Sequence, residues 1–499
     1  MRLRPARLLC LFISLATALL AGCATYRPLP LDNGRGPQRL KDLTVPAASM
    51  PTHALRTYRF DPSNGLDVTE TAMLAIANNP QLKVERDAAG VAHAQAYAAG
   101  LLPDPQLSYE HDRPTSNQPD TTDSYTAGLS LDLGNLITRS ARVASARAGA
   151  RKVDLDLLWG EWQTIAKARI LFDQINYLRQ LAARLQREQA ALRPIHASIE
   201  QALRAGDLTY DSASAGLNAA SDVSNQLAGD ERHLHLAEHD LHDLLGLDAG
   251  VPLHLTGAPF SVNPSAGQVQ RALADMAMRR PDLLALRAGY RAQQEKLRAA
   301  ILAQFPAITV GFVKARDNSN ISSEGFSIGL SLPLFDGNRG NIAIERATRQ
   351  QLHDEYSARL LTSRNDIQRL LADLASDRAQ IKELAAHAAQ LAQARQAAAS
   401  NYAAGRLDWQ TYLAIRAGSL SADSTLLTLE QNTHVTAIAL DAMVGNWPDV
   451  ANKKRTLMST SLHIAPHRYP GIGGGPVSFP PMGLDPGQST TGTTSRSSR

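Results

Sequence analysis

Two hydrophobic periods divide this chain. Over 125–133, Tyr125, Ala127, Leu129, Leu131 and Leu133 alternate with Thr126, Gly128, Ser130 and Asp132. Over 326–334, Phe326, Ile328, Leu330, Leu332 and Leu334 alternate with Ser327, Gly329, Ser331 and Pro333. Period two marks a strand with one apolar and one polar face. A partner strand precedes each: Leu107 and Tyr109 among Gln106, Ser108 and Glu110, and Ile308, Val310 and Phe312 among Thr309 and Gly311. Strands are therefore expected at about 105–113, 123–134, 306–314 and 324–335. After each pair the period becomes seven. Leu171, Leu178, Leu185 and Leu192 form one seam position, Ile175 and Ala182 the other, with Gln189 a polar interruption. Ile367, Leu370, Leu374, Ile381, Leu384, Ala388 and Leu391 keep the same 3,4 spacing, with Asp377 the polar interruption. That is coiled-coil periodicity. A helix from Asn135 to Ala205 is about 100 Å long at 1.5 Å per residue, with Pro194 perturbing its far end. Gly206 and Gly405 permit reversal into a return helix.

The two halves repeat each other. Asn79-Pro80-Gln81-Leu82 matches Arg280-Pro281-Asp282-Leu283, and Gly128-Leu129-Ser130-Leu131 matches Gly329-Leu330-Ser331-Leu332, both displaced by 201 residues. Ala205-Gly206-Asp207-Leu208 then matches Ala404-Gly405-Arg406-Leu407, and Leu245-Gly246 matches Val444-Gly445, both displaced by 199. A constant offset over so many landmarks is a duplicated architecture. Its copies span 67–246 and 268–446, joined by an inter-repeat segment at 247–267 that is expected to add to an equatorial belt.

Alternating strands suit a membrane β-barrel, and no segment after the N-terminus supplies the ~20 apolar residues of a spanning helix. Four strands cannot close a barrel, and an open edge is not tolerated in lipid. A barrel shared between chains resolves this. Three copies give twelve strands, whereas two give eight and an interior filled by side chains. The expected fold is a mixed α and β membrane protein, a trimeric 12-stranded β-barrel on an α-helical coiled-coil barrel, which the resemblance described below places in the periplasm.

Composition adds the address. Residues 2–7 are basic, Leu8 to Leu20 are apolar but too short to span, and Leu20-Ala21-Gly22-Cys23 follows. This is a secretory leader, residues 1–22, ending in a sequence that resembles a bacterial lipobox. Acylated Cys23 would anchor the extended segment 23–66, and Ala24 after it implies the outer membrane. Acylation at two sites gives stable anchoring. The formal charge of +4 is local. The leader's arginines supply three positive charges and residues 450–499 a net five, leaving about −4 on the body. No nucleic-acid footprint is present. Cys10 leaves with the leader, so neither a disulfide framework nor a cysteine metal cage is available.

Together, the lipobox, the duplicated Asn/Arg-Pro-x-Leu helix starts, the strand pairs before Leu131-Asp132-Leu133-Gly134 and Leu332-Pro333-Leu334-Phe335-Asp336-Gly337, and the Gly206 and Gly405 turns are similar to the TolC-like outer-membrane efflux ducts. The resemblance covers about 67–446. It implies a homotrimer serving as the passive exit duct of a tripartite system in a Gram-negative outer membrane, with no enzymatic activity and no cofactor. The implied partners are a periplasmic adaptor (membrane fusion protein) and an inner-membrane pump of resistance-nodulation-division type. The adaptor-facing tips map to Gly206, Asp207 and Leu208, and to Gly405, Arg406, Leu407 and Asp408. Beyond the second turn the acidic ring common in the family is reduced to Asp408, so the expected constriction is Asp408 or Tyr412, with Trp409 beside them.

Two histidine patterns compete with that reading. His235-Leu236-Ala237-Glu238-His239 fits the H-x-x-E-H spacing of inverted zinc proteases. It lies on a return helix with no evident third ligand, which disfavours catalysis. His235, His239 and His242 also share one helix face, a weak candidate metal cluster that suits a duct dedicated to heavy-metal cations. Leu102-Pro103-Asp104-Pro105-Gln106-Leu107 resembles the cation-efflux branch as well. A periplasmic coiled-coil scaffold without a pore is the remaining alternative, and paired alternating strands argue against it. Gly471 to Pro476 lacks the Lys-Ser/Thr of a phosphate loop. It belongs to a Pro-, Gly- and Ser-rich segment, 447–499, expected to be disordered.

Overall fold

Both periods become the elements they predict. A computed structural model describes residues 26–31, 37, 39, 40, 43–46, 50–115, 121–261 and 263–444. The leader, Cys23 and the segment from 447 lie outside the described residues. Every helix and strand belongs to the unit 34–453.

The chain runs α1 (His53–Thr57), α2 (Val68–Asn78), α3 (Pro80–Ala98), β1 (Gln106–Asp112), β2 (Ser124–Asp132), α4 (Gly134–Ala205) and α5 (Tyr210–Leu245). The second half repeats it: α6 (Ala266–Arg279), α7 (Pro281–Leu302), β3 (Ala307–Arg316), β4 (Ser322–Ser331), α8 (Arg339–Ala403) and α9 (Trp409–Val444). Both duplicated Pro residues sit at the first position of α3 and α7, where a missing N–H costs nothing. The helix α4 continues through Pro194 for 72 residues, so the proline is accommodated without ending the helix.

The four strands form one antiparallel sheet in the order β1-β2-β3-β4. Leu107 faces Leu129, and their repeat partners Ile308 and Leu330 face each other. The junction between repeats is β2–β3, where Leu129 faces Phe312 and Leu131 faces Val310. This register puts Leu107, Tyr109, Leu129, Leu131, Ile308, Val310, Phe312, Phe326, Ile328 and Leu330 on one face. Most of it is open: Leu107 is 81% exposed, Phe326 89% and Ile328 76%. The opposite face carries Ser108, Thr126, Gly128, Ser130, Asp132, Thr309, Gly311 and Ser327. A sheet whose apolar side faces outward is inside-out for water and correct for lipid.

Below the sheet, α4 packs between α3 and α7 and then between α5 and α9, whereas α8 has neighbours on one side only. Burial follows. Leu171, Ile175, Leu178, Ala182, Leu185 and Leu192 of the α4 seam are all buried, while in α8 Ile367, Leu374 and Ala388 are buried and Leu370, Ile381, Leu384 and Leu391 are half-exposed. The equatorial core gathers α2, the middle of α4, the end of α5 and the inter-repeat segment around Phe172, Ile175, Leu241, Leu247 and Leu255. Leu66 and Leu255 form a parallel bridge there, and Arg169 lies 3.6 Å over the Phe260 ring.

Candidate functional site

The two helical hairpins end in related but chemically different turns. At the first, Gly206 adopts φ +81°, a conformation that costs an L side chain roughly 1–2 kcal/mol. The Asp207 N–H donates to Ala202 O at 2.9 Å. Thr209 then caps α5 through a reciprocal box with Ser212. At the second turn Gly405 has φ +67°, and the Arg406 N–H donates to Asn401 O at 2.9 Å. Asp408 caps α9, accepting from the Thr411 N–H and the Thr411 hydroxyl, both at 2.8 Å. Those bonds, the backbone one first, hold its carboxyl below the usual aspartate range. Asp207, Arg406 and Asp408 are exposed, and Leu208 and Leu407 are half-buried. The Gln410 side chain joins the turns by donating to Ser212 O at 3.2 Å.

Tyr412 is not a free group at the tip. It is buried, its ring stacks on Tyr402 at 4.5 Å between centroids, and its hydroxyl accepts from Arg416 Nη1 at 2.7 Å. Arg416 also donates through Nε and Nη2 to the two oxygens of Glu188, each at 2.7 Å. This planar fork on a carboxylate is the strong form of a charged hydrogen bond. Trp409 packs against Gly216 and Ile199.

The Arg416–Glu188 clasp is the lowest rung of a ladder between α4 and α9. Above it Tyr177 meets Thr428 at 2.8 Å, Asp173 meets His434 at 3.2 Å, Arg169 meets Asp441 at 3.4 Å, and Trp162 Nε1 donates to Ala442 O at 3.0 Å. By contrast, α4 meets α5 and α8 meets α9 in extensive packed seams. Each hairpin is thus one coiled unit, and the two units are joined by this polar ladder together with an apolar cluster that includes Leu185 and Leu192 of α4 and Leu413, Leu420 and Leu427 of α9. Sequence reasoning missed Glu188 and Arg416, because a pair 228 residues apart has no local signature.

The histidines do not converge. His242 is buried, with Nδ1 2.6 Å from Glu238 O and Nε2 2.7 Å from Val251 O. Nε2 therefore links α5 to the inter-repeat segment, while Nδ1 lies against α5's own backbone. His235 and His239 are exposed. Among the described residues no group of three or more His, Cys, Asp or Glu is arranged to hold a metal ion. The candidate metal set of His235, His239 and His242 is three separate side chains, one of them already bonded at both nitrogens.

Above the equator, a groove of about 1040 Å³ is lined by all four upper helices through Gln95, Asn135, Arg142, Lys152, Lys296 and Asn338, among others. Asn135 donates to Asp132 on the polar face of the sheet at 3.0 Å. Asn135 therefore links the polar face of the sheet to this helical concavity.

The outer membrane efflux protein family model matches residues 272–446. The match falls within the second repeat. Solved channels with this fold extend the likeness over both repeats. CusC aligns at 19% identity and TM-score 0.63, covering 80% of this chain and 97% of that one. The Campylobacter jejuni CmeC outer membrane channel aligns at 14% and 0.65, covering 88% and 98%. The open state of the Neisseria gonorrhoeae MtrE outer membrane channel aligns at 17% and 0.63, covering 76% and 89%. At such identities the likeness is one of fold. No curated protein sequence matches the chain. The efflux-protein fold explains why the duplicated halves meet at β2–β3 and along α4–α7. The solved structures named above are channels.

Proposed function

We propose that the chain is the exit duct of a tripartite efflux system, a passive outer-membrane channel assembled from three copies. The observation that carries this is the sheet: an exposed apolar face, a polar face linked through Asn135 to the helical groove, and two edges, β1 and β4, with no partner strand. In lipid those edges must pair. The internal junction supplies the rule for doing so. The pairing of Leu129 with Phe312, moved by the repeat offset, becomes Leu330 with His111 of the partner subunit. Likewise the contact of α4 with α7 becomes α8 with the partner subunit's α3, above the half-exposed seam of α8. Three copies close twelve strands. Cys23 is the proposed lipid attachment. The turns at Gly206–Leu208 and Gly405–Asp408 are the proposed docking points for a periplasmic adaptor, which connects the duct to a pump of resistance-nodulation-division type. Nothing in the site's geometry favours heavy-metal cargo over this general reading, and a scaffold has no use for a lipid-facing sheet.

The test is a paired substitution, Leu330→Cys with His111→Cys, in the detergent-extracted protein. Facing residues lie within the 4.4–6.8 Å Cα separation that a disulfide accepts. Oxidation should give a covalent ladder ending at three chains, and the product should show unitary current steps in a planar bilayer. A ladder that stops at two, or a correctly folded trimer that never conducts even with the Arg416 clasp removed, would overturn the proposal.

A further inference from the structure

The wall formed by α4, α7 and α8 has a second groove on the side away from the helical concavity. On α4 the two sets of lining residues interleave: Ser145, Gly149 and Lys152 face the concavity, while Arg147, Ala148 and Arg151 face the other groove. This outer groove, about 1090 Å³, also takes in Arg287, Tyr290, Arg291, His353 and Tyr356. Four arginines thus line it, as two i,i+4 pairs on facing helices, with Glu295 the one carboxylate among the lining residues. Glu295 is turned to Arg298 at 3.7 Å. Arg287 reaches only Ala277 O and Met278 Sδ. Among the described residues, Arg147, Arg151 and Arg291 have neither an ion pair nor a hydrogen bond. Like charges one turn apart oppose helix stability, so this arrangement has no folding rationale.

We propose that this groove binds a carboxylate-bearing glycopeptide, the cell-wall murein, and tethers the duct to it. Arg forks match carboxylates in two-point geometry, and the Tyr290 and Tyr356 rings offer flat faces beside them. The position selects the source. Arg147 lies 15 residues beyond Asp132, roughly 20 Å below the sheet at 1.5 Å per residue, beyond reach of lipid headgroups and within the periplasm. The inference rests on the proposed outer-membrane duct, both for the periplasmic position of the groove and for taking this face as outward. Under the same repeat rule a partner subunit covers α3 and α8 at their outer edges, not the groove between α4 and α8. The equivalents of Arg147, Arg151 and Arg291 displaced by 201 are Thr348, Leu352 and Gly90, while that of Arg287 is Arg86, so three of the four arginines are specific to the groove within each chain.

The test is cosedimentation of the purified full-length trimer with isolated murein sacculi, with and without amidation of their carboxyl groups. Binding to native sacculi should weaken at least tenfold on amidation. It should weaken similarly in the variant Arg147→Gln/Arg151→Gln/Arg287→Gln/Arg291→Gln and recover in part when the four are Lys. Bilayer conductance of every variant should equal that of the parent protein. Unchanged binding after amidation, or sacculus binding by the Gln variant equal to the parent's, overturns the proposal. Should the Gln variant not assemble, competition on the parent protein decides: poly-glutamate should displace sacculi and inorganic phosphate should not. A preference for poly-glutamate with no affinity for sacculi would assign the groove to an acidic protein and also overturn it. Absent conductance in the parent protein would instead count against the duct itself.

Discussion

Breaking the Arg416–Glu188 clasp should open the tip. The side chains are 14% and 8% exposed, and the pair makes two 2.7 Å bonds plus the Tyr412 link. Removing one member of a fully buried pair costs about 3–5 kcal/mol. This pair borders a groove of about 270 Å³ lined by Asp222 and Asn218, where water can replace part of the lost bonding. Roughly 2–3 kcal/mol per subunit is therefore the working figure. At 1.4 kcal/mol per tenfold, that shifts the balance between joined and separated hairpins by about 30- to 150-fold. The α4–α9 ladder and the apolar contacts beside it must yield, while the α4–α5 and α8–α9 seams travel as units. Glu188→Gln and Arg416→Leu should therefore raise open probability in planar-bilayer recordings, with Arg416→Lys intermediate because it keeps charge and loses the fork. Helicity by circular dichroism should stay unchanged. Open probabilities equal to the parent's in both variants, with intact helicity, would refute the ladder as the element that holds the tip.

The same ladder should respond to pH. The Asp173 hydrogen bond, outweighing burial, raises the pKa of His434 above the ordinary histidine value, with Glu430 adding a smaller push. A raised histidine stabilises fully below its unfolded pKa and loses that contribution as pH rises through the folded one. Opening should therefore become easier from about pH 6.5 upward, and His434→Gln should flatten that dependence in the same recordings. Gly405→Ala introduces Cβ at a positive φ with open space around it. It should cost roughly 1 kcal/mol and weaken adaptor capture in pull-downs while leaving the trimer intact. Phe172→Ala, at a fully buried core position, should cost about 3–5 kcal/mol and lower the thermal midpoint without altering unit conductance.

The chain's periodicity carries most of the fold. Strand positions, the seven-residue seam, the Gly206 and Gly405 reversals and the duplication were legible because each follows from local geometry or from self-similarity. The strand ends shifted by a few residues: β4 begins at Ser322 and ends at Ser331 where 324–335 was expected. The alternation of Leu332 and Leu334 runs on past the last paired residue, because pairing with β3 and not hydrophobicity sets where the strand stops. What only the tertiary structure decided is which side chains meet and which are already taken. Tyr412 read as a candidate for the constriction, yet its ring lies against Tyr402 and its hydroxyl against Arg416. His242 read as part of a metal face, yet its two nitrogens are taken by backbone carbonyls. The clasp of Glu188 with Arg416 had no local signature at all, and the outer groove's arginines showed in the sequence only as two separate i,i+4 pairs. A repeat fixes each element by short-range rules that the sequence spells out. Contacts between elements depend on how the long helices sit side by side, and there a side chain's partner is hundreds of residues away.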